Sequence, residues 1–146
     1  MIVISNETWI RGAIERGCVY NFSPEKNVAN HYYVVINKNP KKDKEIYLVS
    51  FTSKKENVVR FVENLKLDPK TFVEVEMEEC PFLSKPHDSC INCNYRKKYE
   101  LQELIDLIES SNGSCNCPKV PDSLLDRIIE GVKASRMIEP AVKSLI

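Results

Sequence analysis

"HYYVVI" (residues 31–36) and "IYLVSFTS" (residues 46–53) decide how this chain is read. Both are short apolar runs rich in β-branched and aromatic residues, which pack well on a pleated surface, so both read as buried strands. Between them "NKNPKKDK" (37–44) carries an Asn-Pro turn signal, which makes the pair a hairpin. The second run ends in two hydroxyls, Thr52 and Ser53, followed by Lys54 and Lys55. Hydroxyls and ammonium groups at a strand end suit either a helix cap or an anion site, and the residues around them are read with both in view.

Outward from the hairpin, the period of the apolar residues assigns the remaining elements. "CVYNF" (18–22) alternates and predicts a strand before it. Further upstream, Ser5 is expected to cap a helix running to Arg16, with Trp9, Ile10, Ala13 and Ile14 on one face and Gly12 and Gly17 ending it. Downstream, Val58, Phe61, Val62 and Leu65 fall at i, i+3, i+4 and i+7, predicting a helix over 54–67 with Ser53 and Glu56 as its capping box. "TFVEVEM" (71–77) alternates as a strand, and "DSCINCN" (88–94) predicts a last one. From Tyr99 the period becomes helical, with Leu101, Leu104, Ile105 and Ile108 in one stripe. A second helix carries Leu124, Leu125, Ile128, Ile129 and Val132, capped by Asp122 or Ser123, and Pro140 suits the first turn of a short third one.

Strands first and helices last predict an α+β chain: a small, strongly bent antiparallel barrel with C-terminal helices packed on it. The expected division is a barrel unit over 1–95, holding the inserted helix 54–67, and a helical extension over 96–146.

The 21 Lys and Arg equal the 21 Asp and Glu, so the chain as a whole has no attraction for a polyanion and any such site must come from local clusters. Three exist: "NKNPKKDK" with Lys41 and Lys42, "TSKKENVVR" (52–60) with Lys54, Lys55 and Arg60, and "NYRKKYE" (94–100). No run of apolar residues is long enough to span a bilayer, and "MIVISNETW" lacks a basic start and a cleavage site, so the chain is expected in the cytoplasm without membrane attachment. There its six cysteines are expected as thiols rather than a disulfide framework.

The strand opened by Gly17, then "NHYYVVIN" (30–37) and a strand ending "SFTS" (50–53), resembles the SH3-like barrel of the MazF/PemK toxins of type II toxin–antitoxin systems, and "LSKPHDSCINCN" (83–94) resembles a motif of uncharacterised relatives that carry a similar barrel. The likeness spans residues 17 to 94. It implies a metal-independent endoribonuclease specific for single-stranded RNA, needing no cofactor, dimeric and inhibited by an antitoxin protein. Thr52 and Ser53 match the hydroxyls that end the family's strand. His31 stands where the family carries an arginine before the "VV" strand.

Metal-independent RNA cleavage needs a base at the ribose 2′-hydroxyl, an acid at the leaving 5′-oxygen and positive charge against the phosphorane. His31 is the candidate acid or base, Thr52 and Ser53 the candidate donors to a phosphate oxygen. Lys54, Lys55 and Arg60, with Lys41 and Lys42, are candidate RNA contacts. Tyr32, Tyr33 and Tyr47 suit either base stacking or the core.

Cys90 and Cys93 form a C-x-x-C, and Cys115 and Cys117 a C-x-C, which is an alternative zinc-binding set. Against it, an extended strand turns Cys90 and Cys93 to opposite faces. The expected function is a toxin-like endoribonuclease. The alternative is a non-catalytic SH3-like module binding RNA or a protein.

Overall fold

The computed structural model describes residues 4–76 and 78–146. The apolar start, residues 1–3, and Met77, the last residue of the expected strand 71–77, lie outside the described residues. The elements in chain order are α1 (Asn6–Ala13), β1 (Val19–Phe22), β2 (His31–Val35), β3 (Ile46–Thr52), α2 (Lys55–Asn64), β4 (Phe72–Glu74), β5 (Cys90–Asn92), β6 (Lys97–Tyr99), α3 (Leu101–Ser110), α4 (Asp122–Ala134) and α5 (Pro140–Lys143).

All strand pairs are antiparallel, in the order β1-β2-β3-β5-β4, with β6 also on β3. The α+β class and the bent sheet stand as expected, but the described strands do not close into a barrel: β1 and β4 remain edges. Two features oppose closure. The strands β4, β5 and β6 have only three residues each, too few to carry a continuous ladder around a barrel. Helices also cover both faces of the sheet, which removes the need to bury one face by closing it.

β3 is the hub. Its first half, Ile46–Leu48, pairs with β6, and its end, Phe51 and Thr52, pairs with β5. β5 and β6 are thus two pieces of one partner strand along the same edge, with residues 93–96 looped out between them. "DSCINCN" is therefore not the last strand. β6 escaped a reading by apolar pattern because its residues Lys97 and Lys98 are exposed. The expected boundary at residue 95 falls between these two pieces, so the sheet continues across it.

Alternating residues of the hairpin feed two cores. On one face Tyr20, Phe22, Tyr33, Val35, Ile46 and Leu48 pack with Ile10 and Ile14 and with Leu104, Ile105 and Ile108 of α3. On the other, Val34, Ile36, Val49, Phe51 and Ile91 pack with Leu124, Ile128, Ile129 and Val132 of α4. This explains why both strand sequences are apolar throughout: a strand buried on both faces has no polar side to show. α2 forms a smaller third core through Val58, Val62 and Cys90.

Several caps differ from expectation. α1 is capped by Ser5, whose hydroxyl accepts from Thr8 N–H at 3.2 Å, but it stops at Ala13, with Trp9 exposed. α2 begins from Lys54 with no side-chain cap bond, because Thr52, not Ser53, accepts a backbone N–H there (Lys54, 3.2 Å). α4 starts from Pro121 without a side-chain cap, rather than from Asp122 or Ser123. Pro140 does open α5.

One buried polar residue fixes the hairpin loop. Asn37 is fully buried; its amide donates to Asp43 Oδ2 (2.9 Å) and the Glu45 carbonyl (2.8 Å), and its oxygen accepts from Tyr47 N–H (2.6 Å). Asn37→Ala leaves the Tyr47 amide and the Glu45 carbonyl unpaired inside the protein. The expected loss is about 2–3 kcal/mol of stability, read as a lower urea midpoint at unchanged m value.

Candidate functional site

The β2–β3 register builds the site. Tyr33 pairs with Ser50 and Val34 with Val49. Continued to the strand ends, that register sets His31, the first residue of β2, across from Thr52, the last of β3. His31 is flanked on its other side by Phe22, and Thr52 by Cys90. Residues far apart in sequence thus meet at one end of the sheet.

His31 and Thr52 line one open groove of about 380 Å³, together with Ser53 and Lys54. Tyr32 and Phe51 supply its apolar surface. The loop Cys80–Ser89 also lines it, through Leu83, Ser84, Lys85 and Ser89. His31 is exposed and sits edge-on to the Tyr33 ring, with centroids 6.5 Å apart. Thr52 uses its oxygen to accept from Lys54 N–H, which leaves its hydroxyl proton for an acceptor in the groove.

The charge of the groove is one-sided. Lys54 and Lys85 line it, and no Asp or Glu is among the described residues that do. Two carboxylates, Glu56 and Asp88, line an adjoining, more open groove that shares Ser53 and Lys54. α2 also starts there, and the positive end of its dipole adds to the local potential. An open, basic, hydroxyl-bearing groove with one imidazole suits a phosphodiester better than an uncharged ligand.

Not every expected residue joins it. Lys55 lies in the adjoining groove and pairs with Glu74 at 3.4 Å, so its charge is offset. Arg60 lies further along α2 and donates to Asn57 Oδ1 at 3.0 Å; it is not among the groove's lining residues. Lys41 and Lys42 sit in the hairpin loop at the far end of β3, about 20 Å away over its seven residues. Lys41 donates to the Gly12 carbonyl at 2.6 Å. Tyr33 and Tyr47 are core residues, and only Tyr32 reaches the groove. Sequence reading missed Lys85 and the serines around it. The signal was there in "LSKPHDS", a loop rich in hydroxyls, but nothing local says which strand end it will cover.

The cysteines do not assemble. Cys90 is buried under α2, Cys93 is buried against α4 with its thiol toward the Ile128 carbonyl (3.7 Å), and Cys115 lies beside Asn6. No group of three or more His, Cys, Asp or Glu able to hold a metal ion is found among the described residues. The zinc set is therefore not brought together, because each C-x-x-C thiol is spent on a different core. Burial pushes the Cys90 thiol up to about 11 and those of Cys80 and Cys93 up to about 12. Native protein near neutral pH is expected to alkylate at half-buried Cys18, Cys115 and Cys117, and at Cys80, Cys90 and Cys93 only after denaturation. Protection of Cys115 and Cys117 together with Cys90 and Cys93, released by a chelator, would restore the zinc reading.

No helix among the described residues is long and apolar enough to cross a membrane. The molecule is thus an α+β chain with an open antiparallel sheet between helical layers and a basic groove at the strand ends. No family model matches the chain, and no curated protein matches it. Solved structures do. An endoribonuclease in complex with its cognate antitoxin from Mycobacterial species aligns with a TM-score of 0.53 at 11% identity, over 82% of this chain and 91% of that one. An endoribonuclease from Mycobacterial species gives 0.51 at 14% identity, over 82% and 88%. A chain of the MazE-MazF structure from Deinococcus radiodurans gives 0.50 at 10% identity, over 82% and 92%. The chain therefore shares the fold of these MazF-type endoribonucleases at low sequence identity. The covered share exceeds residues 17–94, so the likeness reaches into the helical segment, for which the sequence offered no counterpart.

Proposed function

We propose that this chain is a toxin-like endoribonuclease of a toxin–antitoxin system that cleaves single-stranded RNA without a metal ion. The observation that carries the reading is the meeting of His31 with Thr52, Ser53 and Lys54 in one groove without carboxylates, in a fold shared with endoribonucleases.

In this reading His31 takes the proton of the ribose 2′-hydroxyl, and the 2′-oxygen attacks the adjacent phosphorus. The bond from phosphorus to the 5′-oxygen breaks, and that oxygen takes its proton from solvent in the open groove. The products are a 2′,3′-cyclic phosphate and a 5′-hydroxyl. Thr52 and Ser53 donate to a non-bridging oxygen, and Lys54 balances the charge of the phosphorane. The same reading gives the chain an antitoxin protein as inhibitor, a homodimeric state, and a cytoplasmic location free of membrane.

The test is incubation of a long unstructured RNA with purified protein in EDTA. Cleavage supports the reading. Intact RNA, with protein shown to be folded, supports the second reading, a non-catalytic module that holds RNA or a protein partner. One feature favours that second reading: no arginine is among the described residues lining the groove, and His31 stands alone where the family sets a guanidinium.

A further inference from the structure

We propose that the loop Cys80–Ser89 is the second wall of an RNA groove, and that Lys85 on it contacts a phosphate of the bound strand opposite Lys54. The proposal rests on the RNA-directed reading of the groove, not on its catalytic part.

The loop is anchored in ways that aim Lys85. At one end Cys80 is fully buried. In the middle Phe82 packs against both Tyr32 (centroids 4.8 Å) and Phe51 (5.7 Å, edge-on), the aromatic residues that form the groove's apolar surface. At the other end the Lys85 carbonyl accepts from Ser89 Oγ (2.7 Å) and from Asp88 N–H (3.2 Å), closing a tight turn around Pro86. Ser89 itself is buried and leads directly into β5, which pairs with the end of β3. The backbone of Lys85 is therefore held near the strand end that presents Thr52, and the residue lines the groove.

The charge balance supports a phosphate rather than a carboxylate partner inside the protein. Acidic and basic residues are equal in number along the chain. Even so, the described groove residues include Lys54, Lys85 and His31 and no acid. Neither Lys54 nor Lys85 is among the lysines in ion pairs. Two exposed ammonium groups that line one groove and are in no ion pair among the described residues are free to take a phosphate. Tyr32 lines the same groove as the two lysines, so a base that enters it meets an aromatic residue and its flanking phosphates meet ammonium groups. At about 380 Å³ it takes a short piece of strand, not a folded RNA.

The experiment is equilibrium binding of a fluorescent, fully 2′-O-methylated oligoribonucleotide, which has no 2′-hydroxyl to cleave, across a range of salt. Each phosphate contact on a single strand contributes about −0.7 to the slope of log K against log salt. Lys85→Ala and Lys54→Ala are each expected to flatten the slope by about 0.7, the pair by about 1.4, with several-fold weaker binding at low salt. The paired substitution Lys41→Ala, Lys42→Ala, at the other end of the hairpin, is expected to leave the slope unchanged. A Lys85→Ala slope equal to wild type overturns the proposal, as does absence of binding by folded wild-type protein. Wild type that binds with this pattern yet leaves natural RNA intact in EDTA keeps the proposal and removes the catalytic reading. Wild type that cleaves, with Lys85→Ala unaltered in slope, does the reverse.

Discussion

His31→Ala is expected to lower the rate of RNA cleavage in EDTA by about 10²–10⁴-fold while leaving the protein folded. The size follows from the role: a positioned general base contributes about that factor, and no other imidazole lines the groove. The second histidine, His87, lies on the turn beyond Lys85 and is not among the lining residues. Folding should be nearly untouched, since His31 is exposed and contributes only an edge contact with Tyr33. Thr52→Ala is expected to lose less, of order 10–100-fold, because Ser53 remains beside it as a donor. If His31→Ala and wild type cleave at the same rate, the imidazole is structural and the site's chemistry lies elsewhere.

Gly131→Val is expected to prevent α4 from docking and to cost about 3 kcal/mol or more. A side chain at position 131 would place its Cβ 2.6 Å from the Lys70 carbonyl and 2.9 Å from the Cys93 sulfur. The carbonyl belongs to backbone held by the 3₁₀ turn Pro69–Thr71, whose Thr71 is fully buried and whose carbonyl accepts from Cys93 N–H at 2.8 Å. Neither neighbour can step aside cheaply. Gly131→Ala sets the same clash against the gain in helix propensity, about 1 kcal/mol, and is expected to remain destabilising by a smaller amount. Thermal melts of both variants beside wild type measure this. A Gly131→Ala protein more stable than wild type would mean that α4 sits further from the sheet than described.

These two residues show what a sequence displays and what it hides. The hairpin was legible because its apolar runs are strand-like and its turn signal is strong, and α3 and α4 because their stripes repeat at helical spacing. His31 and Thr52 stood in the sequence as separate candidates, and nothing in it placed them at one end of the sheet. The physical cause of their meeting, the hairpin register, depends on how the loop held by Asn37 closes, and that buried amide looks in sequence like any loop asparagine. Lys41 and Lys42 read as RNA contacts by charge alone, yet charge carries no information on which end of a hairpin it occupies. Lys85 was invisible for the converse reason: its place depends on Phe82 and Ser89 finding the far side of the sheet. Barrel closure was overestimated because short strands and helical cover are global properties, decided by what packs on each face.

The most direct test of the central claim is the chemistry of the cut ends. RNA cleaved by the wild-type protein in EDTA, analysed by mass spectrometry, should carry 2′,3′-cyclic phosphate on one fragment and a 5′-hydroxyl on the other, the signature of attack by the neighbouring 2′-oxygen with His31 as base. Fragments bearing a 3′-hydroxyl and a 5′-phosphate would mean that water, not the ribose, is the nucleophile, and would contradict the role assigned to this groove.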